Sequence, residues 1–243
     1  LNSVAVLTSM SGASAQGVAL KVLSPRAFVL TRALLFVLAL LPLARLLVLG
    51  FSDRLGANPA EFVIRSLGTW TLVFLCITLA VTPLRVLSGW AWLLRLRRMF
   101  GLFCFFYALL HAASYLWLDQ WFDPAAVWKD VLERPFITAG FAAFVMLLPL
   151  AATSSNAMVK RLGARRWQNL HRLVYAIALA AILHYFWHKA GKNDFAEVSI
   201  YAAVIAALLG FRLVRFARAR YGIVGSTDSP ANNSATVSRR RTS

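Results

Sequence analysis

Residues 165–188 read RRWQNLHRLVYAIALAAILHYFWH. From Leu170 to Trp187 the stretch is apolar for close to the ~20 residues that a helix needs to cross about 30 Å of hydrocarbon. Three of the four histidines in the chain lie here: His171, His184 and His188. His171 and His184 fall inside the apolar run itself. An ionisable side chain in hydrocarbon is expensive and marks a functional position by default. With His111 on a second apolar segment, the pattern predicts a buried cofactor.

The rest of the chain agrees with a membrane reading. Of 243 residues, 60% are hydrophobic and only 14% are charged, against about 25% charged in a soluble domain. Six apolar segments are predicted to span: Ala33–Phe51, Leu67–Leu84, Met99–Leu118, Pro135–Ala152, Leu170–Trp187 and Ala196–Val214. The expected fold is therefore an all-α integral membrane six-helix bundle, one domain over residues 25–220. Residues 1–24 are small, polar and aperiodic, without the layout of a signal peptide. They read as a disordered extension, or as an upstream mis-start with Met10 the true beginning. Residues 221–243 read as a disordered basic tail. Cys76 and Cys104 each sit in an apolar segment and no CxxC occurs, which argues against disulfides, zinc and covalent c-type haem.

A net charge of +17 would suit a nucleic-acid binder, so the positions of the charges decide. The N-terminal tail, the second and fourth loops and the C-terminal tail hold eighteen Lys and Arg; the first, third and fifth loops hold six. The second group also contains eight of the nine acidic residues. This alternation is the positive-inside pattern and puts both termini in the cytoplasm. Topology plus attraction to anionic membrane lipid accounts for the basicity, and no nucleic-acid partner is needed. Most tryptophans stand at or beyond segment ends, as an interfacial belt does.

Depth can then be counted. His111 lies twelve residues after Met99, or ~18 Å, and His184 fourteen after Leu170, or ~21 Å. Both segments run outward, so two imidazoles share one depth on parallel helices. That is the arrangement a bis-histidine b-type haem requires; cross-helix hydrogen bonding is the plainer alternative. His171 lies ~20 Å below His184 along an ideal helix axis, with Arg97, Arg98 and Met99 opposite it and no histidine. Its reading stays open between a haem ligand with a non-histidine partner, contact with another cofactor, and an interfacial side chain. His188 is one turn past His184, at the water boundary, where an ordinary interfacial role is favoured over a substitute ligand or a contact to a haem propionate. Arg45, inside the first segment, is compatible with pairing to haem propionates or with snorkelling to headgroups. Arg97 and Arg98 mark a cytoplasmic rim where a phosphate would bind, although topology alone accounts for them.

The stretches RLGARRWQNLHRLVY, RSLGTWTL, LAVTPLR, LRRMFGLFCFFYALLHAASYLWLDQ and ERPFITAGFAAFVMLLPLAATS carry a resemblance. Over roughly residues 33–220 the chain resembles the ferric-reductase-like transmembrane group. Within that group it is similar to the MsrQ (YedZ-type) family, haem-binding membrane subunits of the bacterial periplasmic methionine sulfoxide reductase system. The resemblance implies haem b on His111, His184 and His171, and flavin mononucleotide near Arg97 and Arg98. It also implies a place in the bacterial inner membrane and a periplasmic molybdopterin-containing catalytic partner. Larger ferric reductases have four haem histidines and a C-terminal flavin and nicotinamide domain. Here the second histidine of the third segment is missing and the tail is too short for that domain, so a quinol or a cytoplasmic flavin reductase is the expected donor.

Two other functions remain in view. A transmembrane ferric or metal reductase would keep the haem and change the acceptor. A cofactor-free transporter using membrane histidines is disfavoured, since the six spans show no internal repeat in sequence and no intramembrane carboxylate.

Overall fold

The computed structural model describes residues 23–191 and 193–224, with side chains only to residue 220 at the C-terminal end. The expected extension 1–24 and tail 221–243 therefore lie almost entirely outside the described residues. Only residues 221–224 of that tail are described, and they continue the last helix.

Among the described residues nine α-helices follow one another: α1 (Pro25–Phe51), α2 (Pro59–Ser88), α3 (Leu93–Ser114), α4 (Pro124–Glu133), α5 (Pro135–Ala152), α6 (Asn156–Leu162), α7 (Ala164–His171), α8 (Leu173–Ala190) and α9 (Ala196–Val224). A π-helical turn, Tyr115–Asp119, prolongs α3. Proline opens α1, α2, α4 and α5, where its missing N–H is an orphan donor in any case. Ser24, Asn58 and Asp123 cap three of these with side-chain oxygens. Gly89, at φ +72°, ends α2 in the left-handed region that a side chain disfavours.

Six helical stretches are long and apolar enough to cross a membrane, and the chain is a multi-pass membrane protein. They agree with the six predicted segments, with two differences of consequence. α3 begins at Leu93, so Arg97 and Arg98 lie within its second turn and not on a rim before it. The fifth span is α7 and α8 in succession, interrupted at Arg172. The spacing of His171 and His184 along one ideal helix axis thus does not strictly apply.

α2 packs most extensively on α3, and α5 on α8; α9 lies against α2 and α8, while α1 touches α2 and α3 more lightly. Phe74 of α2 stacks on Phe103 and Tyr107 of α3 at 5.5 and 5.3 Å. Two prolines inside spanning helices, Pro42 and Pro83, have polar side chains of other helices beside them. Beside Pro42, the Tyr107 hydroxyl donates to the Ala39 carbonyl at 2.8 Å and accepts from the Leu43 N–H at 3.3 Å. One hydroxyl thus meets both the acceptor and the donor of an i to i+4 pair that flanks the proline. Pro83 lacks the N–H that would bind the Leu79 carbonyl, and Arg212 of α9 donates to that carbonyl at 2.9 Å instead.

Candidate functional site

His111 is carried by α3 near its C-terminal end, His184 by α8, and their ring planes are inclined at 73° with centroids 6.1 Å apart. The Nδ1 of His111 is 2.9 Å from the Ile64 carbonyl oxygen of α2. The Nδ1 of His184 is 2.6 Å from the Phe136 carbonyl oxygen of α5. A carbonyl only accepts, so each Nδ1 carries the proton and each Nε2 keeps its lone pair. Backbone acceptors of this kind hold a ligating imidazole in tautomer and orientation and raise its basicity.

Glycine makes room for both rings. A methyl group on Gly68 would lie 3.1 Å from Cε1 and 3.2 Å from Nδ1 of His111. On Gly140 it would lie 2.7 Å from Nδ1 and 2.9 Å from Cε1 of His184. In each case the accepting carbonyl belongs to the residue four positions before the glycine, on the same helix. Each helical pair, α2 with α3 and α5 with α8, therefore repeats one half-site: carbonyl, glycine and imidazole. The sequence shows no such repeat, because only one glycine and one histidine per half define it. Gly68 and Gly140 were not among the residues expected from sequence. Their signal was a single glycine inside a spanning segment, in RSLGTW and FITAGF.

The pair fits a metal ion held between two imidazoles. Metal–imidazole bonds are about 2 Å long, and a ring nitrogen lies ~1 Å from its centroid, so two rings on opposite sides of one ion have centroids about 6 Å apart. Among the described residues no group of three or more His, Cys, Asp or Glu side chains is gathered. This is a two-imidazole site, which is the donor set of a six-coordinate haem iron. His188 stacks obliquely on Phe136 at 5.6 Å, and the same ring lies 6.1 Å from His184. Arg45 is exposed on α1, and nothing directs it at the pair.

His171 is elsewhere. It borders a cavity of about 420 Å³ between α3, α5, α7 and α8, together with Arg97, Arg98, Trp167, Arg172 and Tyr175. Its Nε2 is 3.2 Å from the Thr153 hydroxyl. That hydroxyl donates its own proton to the Pro149 carbonyl at 2.6 Å, so it accepts from Nε2–H and leaves the His171 lone pair on Nδ1. Trp167 stacks on the imidazole at 4.0 Å and donates its indole N–H to the Thr153 carbonyl at 2.8 Å. Arg98 donates to the Asn156 side-chain oxygen at 2.6 Å. The cavity is lined by three guanidiniums and no carboxylate, a setting for an anionic, partly aromatic ligand. The structure thus brings His111 to His184, and His171 to Arg97 and Arg98, as two separate clusters.

Comparison with known proteins gives the same two regions a context. The family described as "Ferric reductase like transmembrane component" matches residues 67–182, which include Gly68, His111, Gly140 and His171. The chain is 63% identical over 191 residues to the protein-methionine-sulfoxide reductase heme-binding subunit MsrQ of Ralstonia nicotianae, covering 79% of this chain and 88% of that protein. It is 58% identical over 190 residues to the MsrQ of Herminiimonas arsenicoxydans, at 78% and 87% coverage. To the MsrQ of Bordetella pertussis it is 56% identical over 198 residues, at 82% and 96% coverage. No solved structure matches the chain.

Proposed function

Because this chain belongs to the family of protein-methionine-sulfoxide reductase haem-binding subunits, MsrQ, within the ferric-reductase-like transmembrane proteins, we propose that it is a b-type cytochrome that passes electrons across the bacterial inner membrane. The donor is the quinol pool or a cytoplasmic flavin reductase. The acceptor is a periplasmic molybdopterin-containing subunit that reduces methionine sulfoxide in oxidised proteins. One observation carries this reading: two imidazoles 6.1 Å apart, each with Nδ1 committed to a backbone carbonyl.

His111 and His184 would hold the haem iron through Nε2, and the group supplies one-electron chemistry when bound. The protein's part is to hold the rings against Gly68 and Gly140, fix their tautomer and keep the surroundings apolar, which are means of setting a potential. Arg97, Arg98 and Arg172, with Trp167 and Tyr175, would hold the phosphate and ring of flavin mononucleotide, with His171 beside them. Ligation of a second iron through Nε2 of His171 would require giving up Thr153, so we assign His171 to this cavity. The acidic residues Asp119, Asp123, Asp130 and Glu133 near the His111 end suit a soluble partner on that side, and the basic end faces the cytoplasm.

The test is an absorption spectrum of purified protein with and without His111→Ala or His184→Ala. Either substitution removes the low-spin haem signal. Retention of a full low-spin spectrum in either variant would rule out the pairing. Dependence on the methionine sulfoxide reductase subunit, and not on ferric chelates, as electron acceptor separates this reading from a metal reductase.

A further inference from the structure

A groove of about 520 Å³ separates α1 from α3 at the basic end of the bundle and belongs to neither cluster, although Arg98 borders it. On α1 it is lined by Arg32, Phe36 and Leu40, at steps of four residues and therefore in one stripe. On α3 the lining runs from Arg95 and Arg98 through Met99 and Phe103 to Phe106. Each stripe has its arginine at the same end and only apolar residues beyond. Their lengths are ~12 Å on α1 and ~16 Å on α3 at 1.5 Å per residue.

Among the described residues, no ion pair involves Arg32, Arg95 or Arg98. Arg98 donates to the neutral Asn156, and Arg95 lies 4.2 Å over the Phe28 ring. Below them the wall is aromatic, with Phe36 edge-on to Phe103 at 5.1 Å. Phe36 and Leu102 are exposed on the two sides, so the groove opens laterally, toward hydrocarbon.

We propose that this groove is a binding site for one anionic phospholipid, its phosphodiester between Arg32 and Arg95 and an acyl chain along Phe36, Leu40 and Phe106. Basic pockets between spanning helices on the cytoplasmic side are suited to acidic headgroups. A soluble anion would have no use for the apolar length of the groove. A quinol would bring no negative charge to the exposed guanidiniums of Arg32 and Arg95.

Native mass spectrometry of the purified full chain in detergent tests this, with phosphatidylglycerol and phosphatidylcholine as probes. One phosphatidylglycerol is retained and phosphatidylcholine is not. In the double variant Arg32→Gln, Arg95→Gln, phosphatidylglycerol affinity falls roughly thirtyfold, about fivefold per guanidinium lost. Leu102→Trp, which narrows the groove and keeps every charge, weakens retention as well and stands in if the double variant fails to fold. Equal retention of the two lipids, wild-type affinity in either variant, or displacement of phosphatidylglycerol by millimolar inorganic phosphate would overturn the proposal. An unchanged visible absorption spectrum in both variants separates this site from the His111–His184 pair.

Discussion

At the scale of single residues, the two glycines that support the imidazoles are not equivalent. A Cβ on Gly140 would come within 2.7 Å of a His184 ring atom, closer than any unstrained contact, whereas on Gly68 the nearest His111 atom is 3.1 Å away. Overpacking of this kind costs about 1–3 kcal/mol where neighbours cannot yield. Gly140→Ala is therefore expected to lose more haem per mole of protein than Gly68→Ala, read as the Soret-to-280 nm ratio after identical purification. Equal ratios would mean that the rings are free to shift and that the glycines do not position them. Thr153→Val removes the hydroxyl that accepts from His171 Nε2. It should alter flavin retention while leaving the low-spin haem spectrum as in the wild type. A changed haem spectrum would show that His171 takes part in haem binding after all.

Between elements, proline accounts for a contact that links α9 to α2. Arg212 gives one N–H to the Leu79 carbonyl, which Pro83 leaves without a helical donor, another to the Tyr175 hydroxyl at 2.9 Å, and lies 5.3 Å from the Tyr175 ring. Removing a donor from a carbonyl in hydrocarbon costs about 1–3 kcal/mol. Arg212→Ala should lower the thermal midpoint of the purified protein. The loss should shrink in a Pro83→Ala background, where the new N–H at position 83 can serve Leu79. An additive double-mutant cycle would disprove the proline explanation. The spans themselves were legible in sequence because hydropathy over some twenty residues depends on composition alone. The break at Arg172 and the early start of α3 were not. Helix ends depend on local hydrogen bonds and on how far Arg97 and Arg98 can reach for polar surroundings.

Across the whole molecule, two clusters lie toward opposite ends of one bundle: His111 with His184, and His171 with Arg97 and Arg98. Arg97→Gln is expected to slow reduction by the physiological donor by about tenfold or more, in the range for loss of a charge-assisted contact, with no change in the dithionite-reduced spectrum. A spectrum that changed along with the rate would merge the two sites into one. For topology, a cysteine at Asp123 should react with an impermeant maleimide in spheroplasts, and one at Ala157 only after permeabilisation. The reverse pattern would invert the assigned orientation. By itself the sequence determined that the chain spans a membrane six times, that its basic ends share one side, and that His111 and His184 lie at one depth. Each of these follows from residue type counted along a chain whose helical rise is constant. Only the tertiary structure decided which backbone carbonyls take the two Nδ1 protons, which glycines admit the rings, and that His171 turns to Thr153. Those outcomes depend on which helices become neighbours and how each is rotated, and neither is a function of distance along the sequence.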